Sequence, residues 1–555
     1  MARSAAPKED EDEGASLVVH YMADDDGLTV DEALTLAGGW SHYQHKLILT
    51  LGCVQAASSS HMLAPIFLIP RLTADWQLTA GQASLLSSLF FAGYCVGVVV
   101  WSWFSDSYGR RPATALAFGL GNLSGVASFL APNYTTFVLL RFLCGVGIAG
   151  AKNGVFMLGT EFAPPSARAR VGALVSYAWL CGLLFLVFSA WLLQDLGWRY
   201  LIFTYVPAML VQLLLTSQLP ESPRFSLVAA EPERAKQTLL AVFDANGRQP
   251  PEPLTLRRPP TPRASAPAAS ATSTSSSNNS FAQLWAPATR RMTLIVGFCQ
   301  GVCTMVFYAI TFDPSTNAAA GNLYLGALLG ALVELPAYLM LEPLTNTFGR
   351  RRSYCGFLAL SALFLLILDH ALMNGAADAG GGASASRLVG AAEAAAMEQS
   401  ASVAAQHTNA DETRRLLSSS HHAHSHHVNW LAVVCGLGGR FASVAATNVA
   451  YIVAAELFPT TCRNSAVGWG SGCGRIGAMA APAIMLSTDR PLLLFVCLSA
   501  IAAVLVMVLP ESAGATLADV PEGVRSDPPT PRLGTAAEEV VEAGTCRLPP
   551  ASSGG

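Results

Sequence analysis

Twelve apolar runs limit what this chain can fold into, because most are close to the about 20 residues that cross a hydrocarbon core as one helix. By length they fall near residues 46–69, 83–104, 112–131, 134–160, 170–194, 198–218, 292–312, 320–344, 353–373, 428–457, 464–487 and 490–509. Inside lipid each backbone N–H must be satisfied within its own segment, so the expected class is an all-α integral membrane protein of 12 transmembrane helices. Only 13% of the 555 residues are charged, far below the roughly 25% of a soluble domain.

The net charge is −4 and the basic residues are scattered over loops, which excludes a nucleic-acid partner. No nucleotide-binding glycine loop, metal-ligand spacing or nucleophile–base pair is recognisable, so no cofactor, no metal and no enzymatic activity are expected. Twelve cysteines occur, but all except Cys462 and Cys546 lie in apolar stretches and none forms a C-x-x-C pair; they read as small buried hydrophobes.

Between the runs lie polar segments. Residues 1–45 are acidic (KEDEDE, then ADDD), which is no basic signal-peptide start, and 28–44 read as an amphipathic segment before the membrane. The first half then occupies 46–218. The linker 219–291 opens with a helical PERAKQTLLAVFDANG and dissolves into a Pro/Ser/Ala tract too poor in apolar residues to fold alone. The second half, 292–510, carries an Ala/Gly-rich insertion at 374–427 that ends HHAHSHH; that histidine run reads as low complexity more readily than as a metal or pH site. The tail 511–555 is polar and disordered in character. Arginines and lysines crowd the even-numbered turns and the linker, which places both termini in the cytosol and the insertion outside.

Three short matches return in order. DSYGRR (106–111) recurs as NTFGRR (346–351), EFAPPSAR (161–168) as ELFPTTCR (456–463), and Pro220-Glu221-Ser222 as Pro510-Glu511-Ser512. The offsets are 240, 295 and 290, so an extra block of about 55 residues separates the first two matches in the second half, and the 374–427 insertion is that block. Each motif has a mechanical reading as a conformational latch. Asp106, Gly109, Arg110 and Arg111 form a turn whose arginines meet Glu161, with Arg168 close by; Gly349, Arg350, Arg351, Glu456 and Arg463 repeat it. Such a latch would hold the halves and bias inward-open against outward-open states. Asn346 replaces the acid in the second copy, which predicts a weaker latch there.

These residues resemble the major facilitator superfamily, and more narrowly the organic cation and anion transporters of solute carrier family 22, with synaptic-vesicle-2-related proteins as relatives. DSYGRR is similar to the superfamily's loop signature, and Arg141 with Gly145, Gly147 and Gly150 to its fourth-span pattern. GNLYL at Gly321, VELPAY at Val333, PESPRF at Pro220 and AAELFPTTCRN at Ala454 resemble the narrower family. The resemblance implies two pseudo-symmetric six-helix halves and alternating access. It departs from the family in the short connection around 69–82, where members carry a long external loop, and in Phe307-Tyr308-Ala309, where a Tyr-Tyr-Gly is usual.

Polar and aromatic residues also fall on single helical faces. Gln300, Thr304, Phe307, Tyr308 and Thr311 follow one stripe of the seventh span, and Arg440, Thr447, Asn448 and Tyr451 one of the tenth. The eighth span adds Glu334 and Tyr338, the eleventh Arg475, the fifth Tyr177 and Trp179. A carboxylate in a membrane span costs about 2.5–3.5 kcal/mol unless it is partnered, so Glu334 is expected to pair with Arg440 and Arg475. His61, in the first span, is read as a packing histidine with proton transfer as the alternative.

The family carries arginine at the position matching Arg475 in anion carriers and an acid in cation carriers. The expected substrate is therefore a small organic ion, anion or zwitterion ahead of cation, moved with a coupling ion or an exchanged solute. A non-transporting receptor or vesicle protein is the rival reading. The plasma membrane is favoured over a vesicle membrane, and oligomeric state is not legible.

Overall fold

In the computed structural model, residues 27–257, 283–313, 322–378, 430–458, 462–488 and 490–511 are described. The acidic start, the Pro/Ser tract, the histidine run and the tail beyond 511 lie outside them, as does the side chain of Arg463.

The first half runs through α1 (Val30–Leu36), α2 (His42–Leu63), α3 (Pro65–Trp76), α4 (Ala80–Tyr108), α5 (Arg110–Ala127), α6 (Tyr134–Glu161), α7 (Arg168–Leu192), α8 (Trp198–Phe203) and α9 (Tyr205–Ser217). The linker holds α10 (Pro223–Val228) and α11 (Pro232–Ala245). The second half runs through α12 (Arg290–Phe312), α13 (Leu323–Leu332), α14 (Glu334–Phe348), α15 (Arg350–Asp378), α16 (Trp430–Leu457), α17 (Arg463–Ser487) and α18 (Pro491–Met507).

Ten stretches among the described residues are long and apolar enough to cross a bilayer. The other two expected spans are α17, diluted by glycines and Arg475, and α18, a shorter apolar helix. The first span starts earlier than expected, at His42, and the ninth continues to Asp378, so the helix takes the opening of the segment assigned to the insertion.

Prolines divide three spans. Pro65, Pro207 and Pro336 each lack an N–H and crowd the carbonyl four residues back, and the helix breaks just upstream of each, at Ala64, Thr204 and Val333. The last break makes Glu334 the first residue of α14, where the positive end of the helix dipole favours a carboxylate.

Pairings repeat between halves. The first and fifth spans pack in each half (α2 on α7, α12 on α17), as do the third and fourth (α5 on α6, α15 on α16). Between halves, α4 packs on α17 and α7 on α13 and α14.

At the end carrying the Gly-Arg-Arg turns, here the basic end, α1, α10 and α11 form a cap whose Leu34, Leu227, Leu239 and Phe243 pack with Leu47, Leu51 and Leu158 of the bundle. Asp31 ties this cap down through Arg168, at 2.6 Å, and Arg224.

Candidate functional site

The repeated turns have matching geometry. Gly109 (φ +113°) and Gly349 (φ +86°) hold conformations that side-chain-bearing residues rarely adopt, and each starts the next span within one residue. In the first copy Arg110 reaches Asp106 at 3.0 Å and Glu161 at 3.5 Å. In the second, Arg350 reaches the Asn346 amide oxygen at 2.8 Å and Glu456 at 3.3 Å. Asn346 thus still accepts the arginine, with a neutral dipole instead of a charge.

Two expectations are corrected here. Arg111 does not meet Glu161: its guanidinium donates to the Ser217 carbonyl at 3.0 Å, because the helix that starts at Arg110 turns its second residue about 100° away from the first. Arg351 likewise donates to the Leu509 carbonyl at 3.3 Å. Nor do these contacts join the two halves; each copy closes on its own half. Arg168 also turns away from Glu161, to Asp31 of the cap.

Glu221 and Glu511 were missed as site residues, although the Pro-Glu-Ser repeat contains both. Glu221 accepts the backbone N–H groups of Arg110 (2.9 Å) and Arg111 (3.3 Å), and Glu511 those of Arg350 (2.8 Å) and Arg351 (3.2 Å). Each carboxylate therefore caps the N-terminus of a span from the far end of its own half.

In the membrane core, Glu334 is wholly buried and bound on both oxygens. Arg440 donates to Oε1 from two nitrogens, at 2.7 and 3.3 Å, and Tyr338 donates to Oε2 at 3.0 Å. The guanidinium also lies over the Phe307 ring, 5.4 Å from its centroid. Gly330 makes the room: a Cβ there would lie 2.7 Å from Arg440 Nη1.

Arg475 is not the second partner of Glu334, which corrects the expected arginine pair. It crosses to the first half and lies over Tyr94, 4.6 Å from the ring centroid. Its Nε is buried without a hydrogen-bond partner. Tyr308 and Tyr451 stand within its electrostatic reach. On the facing helix Gln300 packs against Gly470 and Gly474, and its Nε2 is another buried donor without a hydrogen-bond partner.

Lys152 on α6 was also missed. It is half-buried, its Nζ lies 4.5 Å over the Trp179 ring, and it is within electrostatic reach of Arg475. Neither cation has a carboxylate within ion-pair distance among the described residues. The signal was available: a lone lysine in a membrane run satisfies the argument that singled out Glu334.

Two polar residues of α16 are satisfied within their own helix. Thr447 and Asn448 donate to carbonyls one turn back, at 2.8 Å each. His61 contacts Asn122 at 3.3 Å and packs with its ring tilted against Tyr205, centroids 4.5 Å apart, while Arg141 donates to the His61 carbonyl.

The halves meet at the end opposite the basic turns. Arg71 donates to the Tyr324 hydroxyl at 3.1 Å, Phe67 stacks on the same ring, and Phe91 packs between Tyr308 and Phe312. Ser88 adds a hydrogen bond to the Met479 carbonyl at 3.0 Å. These contacts join the halves there, and Tyr308 links them to the surroundings of Arg475.

Comparison with known proteins gives the same architecture. Solute carrier family 22 member 15-like of Xenopus laevis is 27% identical over 479 residues, covering 85% of this chain and 84% of its own. Organic cation/carnitine transporter 4 of Arabidopsis thaliana is 25% identical, covering 81% and 76%. Synaptic vesicle 2-related protein of Rattus norvegicus is 32% identical over 238 residues, 42% of this chain and 43% of its own. Among solved structures, the xylose transporter XylE of E. coli, in a partially occluded inward-open conformation, superposes over 86% of this chain and all of its own, with a TM-score of 0.58 at 16% identity. Residues 49–416 match the profile of the Major Facilitator Superfamily. The chain therefore belongs to the major facilitator superfamily, a transporter and not an enzyme.

Proposed function

We propose that the chain is a secondary carrier of small organic anions or zwitterions, working by alternating access around the residues between α4, α6, α12 and α17. One observation carries the choice of charge: Arg475 is buried in the core with no carboxylate partner among the described residues and an unsatisfied Nε, while Glu334, the buried acid of the membrane core there, is occupied by Arg440 and Tyr338. A planar guanidinium is suited to a carboxylate, because its donors can bind two oxygens at once. A cationic substrate would meet Arg475 before any free acid. The Arabidopsis relative's name pairs organic cations with carnitine, and carnitine carries a carboxylate as well as an ammonium.

The turns at Gly109 and Gly349 then act inside each half, stiffening it as one body that rocks against the other. The basic turns and linker face the cytosol in this reading, with the plasma membrane as the site of residence. Similarity to a synaptic vesicle 2-related protein supports a vesicle membrane as the second reading.

Uptake by the purified full chain in proteoliposomes tests this. Succinate or L-carnitine should accumulate above protein-free vesicles, and tetraethylammonium should not. Uptake of tetraethylammonium alone would overturn the charge assignment, and uptake of none of a broad panel would overturn the carrier.

A further inference from the structure

The three spans divided by proline each leave their shorter piece at the same end of the bundle. α2 enters from the cap, α9 ends at Ser217 beside Arg111, and α14 ends at the Gly349 turn, so α3, α8 and α13 all lie at the end opposite the basic turns. There they are joined in series. Trp76 of α3 meets Trp198 of α8 edge to face, centroids 5.3 Å apart, with Phe137 set against both rings, and Phe67 and Arg71 of α3 meet Tyr324 of α13. By contrast α4 runs unbroken for 29 residues to the Gly109 turn.

Side chains hold the breaks. Pro65 has no N–H to give the His61 carbonyl, and Arg141 of α6 donates to that carbonyl instead. Tyr205, the first residue of α9 just past its own break, donates to the neighbouring Ser60 carbonyl at 3.4 Å. At the third break Arg440 packs against Gly330 of α13 and binds Glu334, the first residue of α14, so it touches both sides. A backbone N–H holds its acceptor in one helical geometry, whereas an arginine, with five donors on a long stem, follows a carbonyl as the helix bends. The buried acceptor then stays paired over a range of bend angles, and the cost of an unsatisfied carbonyl does not arise.

Resting on the carrier reading but on no particular solute, we propose that α3, α8 and α13 form one jointed lid hinged at the three breaks, with Arg141 and the Glu334–Arg440 pair as positioning residues that keep the hinges satisfied while they bend. The end opposite the basic turns opens by folding this lid back, and the basic end by movement of whole halves.

Hydrogen exchange on the full chain in nanodiscs, read peptide by peptide, tests the lid. Tyr324→Phe removes the hydroxyl that accepts from Arg71 and keeps the ring that stacks on Phe67. Exchange should rise about fivefold, the worth of one hydrogen bond, in 66–76 and 198–203 as well as in 323–332, with α2, α9 and α14 unchanged. A rise confined to 323–332 would mean that the arms move separately, and an equal rise in α2 and α14 that no hinge lies between; either overturns the lid and leaves the carrier reading standing. Pro65→Ala tests the pin, because it gives the His61 carbonyl a backbone donor. It should slow exchange in 66–76 and make Arg141 dispensable: Arg141→Gln should lower the melting temperature strongly by itself and far less beside Pro65→Ala. Equal falls in the two backgrounds overturn the role assigned to Arg141. Where Arg141→Gln alone does not fold, folding of the double variant is the expected rescue, and its failure is the opposing result.

Discussion

Arg440 and Arg475 are both arginines of the second half, buried in the core and stacked on an aromatic ring, yet their surroundings assign them opposite tasks. Arg440 meets a carboxylate through two nitrogens, and Gly330 leaves the space that this geometry needs. Among the described residues Arg475 meets no acid, and it keeps an unsatisfied Nε. A buried charge with a complete set of partners is part of the scaffold, while one that meets aromatic side chains, no acid, and keeps a free donor is available to a ligand. The difference lies in the neighbouring helices, since neither residue differs in type or depth.

Removing the scaffold's acid should have the largest effect on stability. Glu334→Gln leaves Arg440 buried without its counter-charge, a loss of about 3–5 kcal/mol. Thermal unfolding in detergent should show it as a large fall in melting temperature, and Glu334→Gln with Arg440→Gln should recover part of it. If the double variant is no better than the single one, the pair is not the structural unit described. Arg475→Gln should behave in the opposite way. Its melting temperature should stay near wild type, while anion uptake falls about 10- to 100-fold, the worth of one charged hydrogen-bonding partner. A large loss of stability there would place Arg475 in the scaffold beside Arg440. Third comes Gly330→Ala, whose new Cβ would press on the Arg440 guanidinium and should cost about 1–3 kcal/mol of stability without changing which substrates are taken.

The architecture was legible because run length and the repeat offsets are properties of the chain itself. The 12 spans, the two halves and the matched Gly-Arg-Arg turns needed no distances. Helical periodicity also put Gln300, Phe307 and Tyr308 on one face, and all three are buried. It could not say which helix that face meets, so Arg475 was paired on paper with Glu334 when α17 in fact presents it to Tyr94. Glu221 and Glu511 stood in the repeat unassigned, because capping a helix more than 100 residues away is visible only once the chain returns to the same end of the bundle. Asp31 was hidden for a related reason: its segment read as merely preceding the membrane, and its arginines come from the start of α7 and the linker.

The smallest expected effect bears most directly on the division of labour between the two arginines. Tyr338 donates to Glu334 Oε2, while Arg440 holds Oε1, so Tyr338→Phe removes one hydrogen bond and leaves the ion pair intact. The carboxylate keeps its place at the N-terminus of α14, and the loss should be about 1 kcal/mol, seen as a modest fall in melting temperature. Uptake of succinate should be unchanged, because the phenol serves an acid that substrate does not touch. A variant with wild-type stability and lost uptake would mean that Tyr338 faces the substrate and that Glu334 exchanges Arg440 for it during the cycle. In that case both arginines would be binding residues, and burial of a satisfied pair would mark a resting state instead of a scaffold.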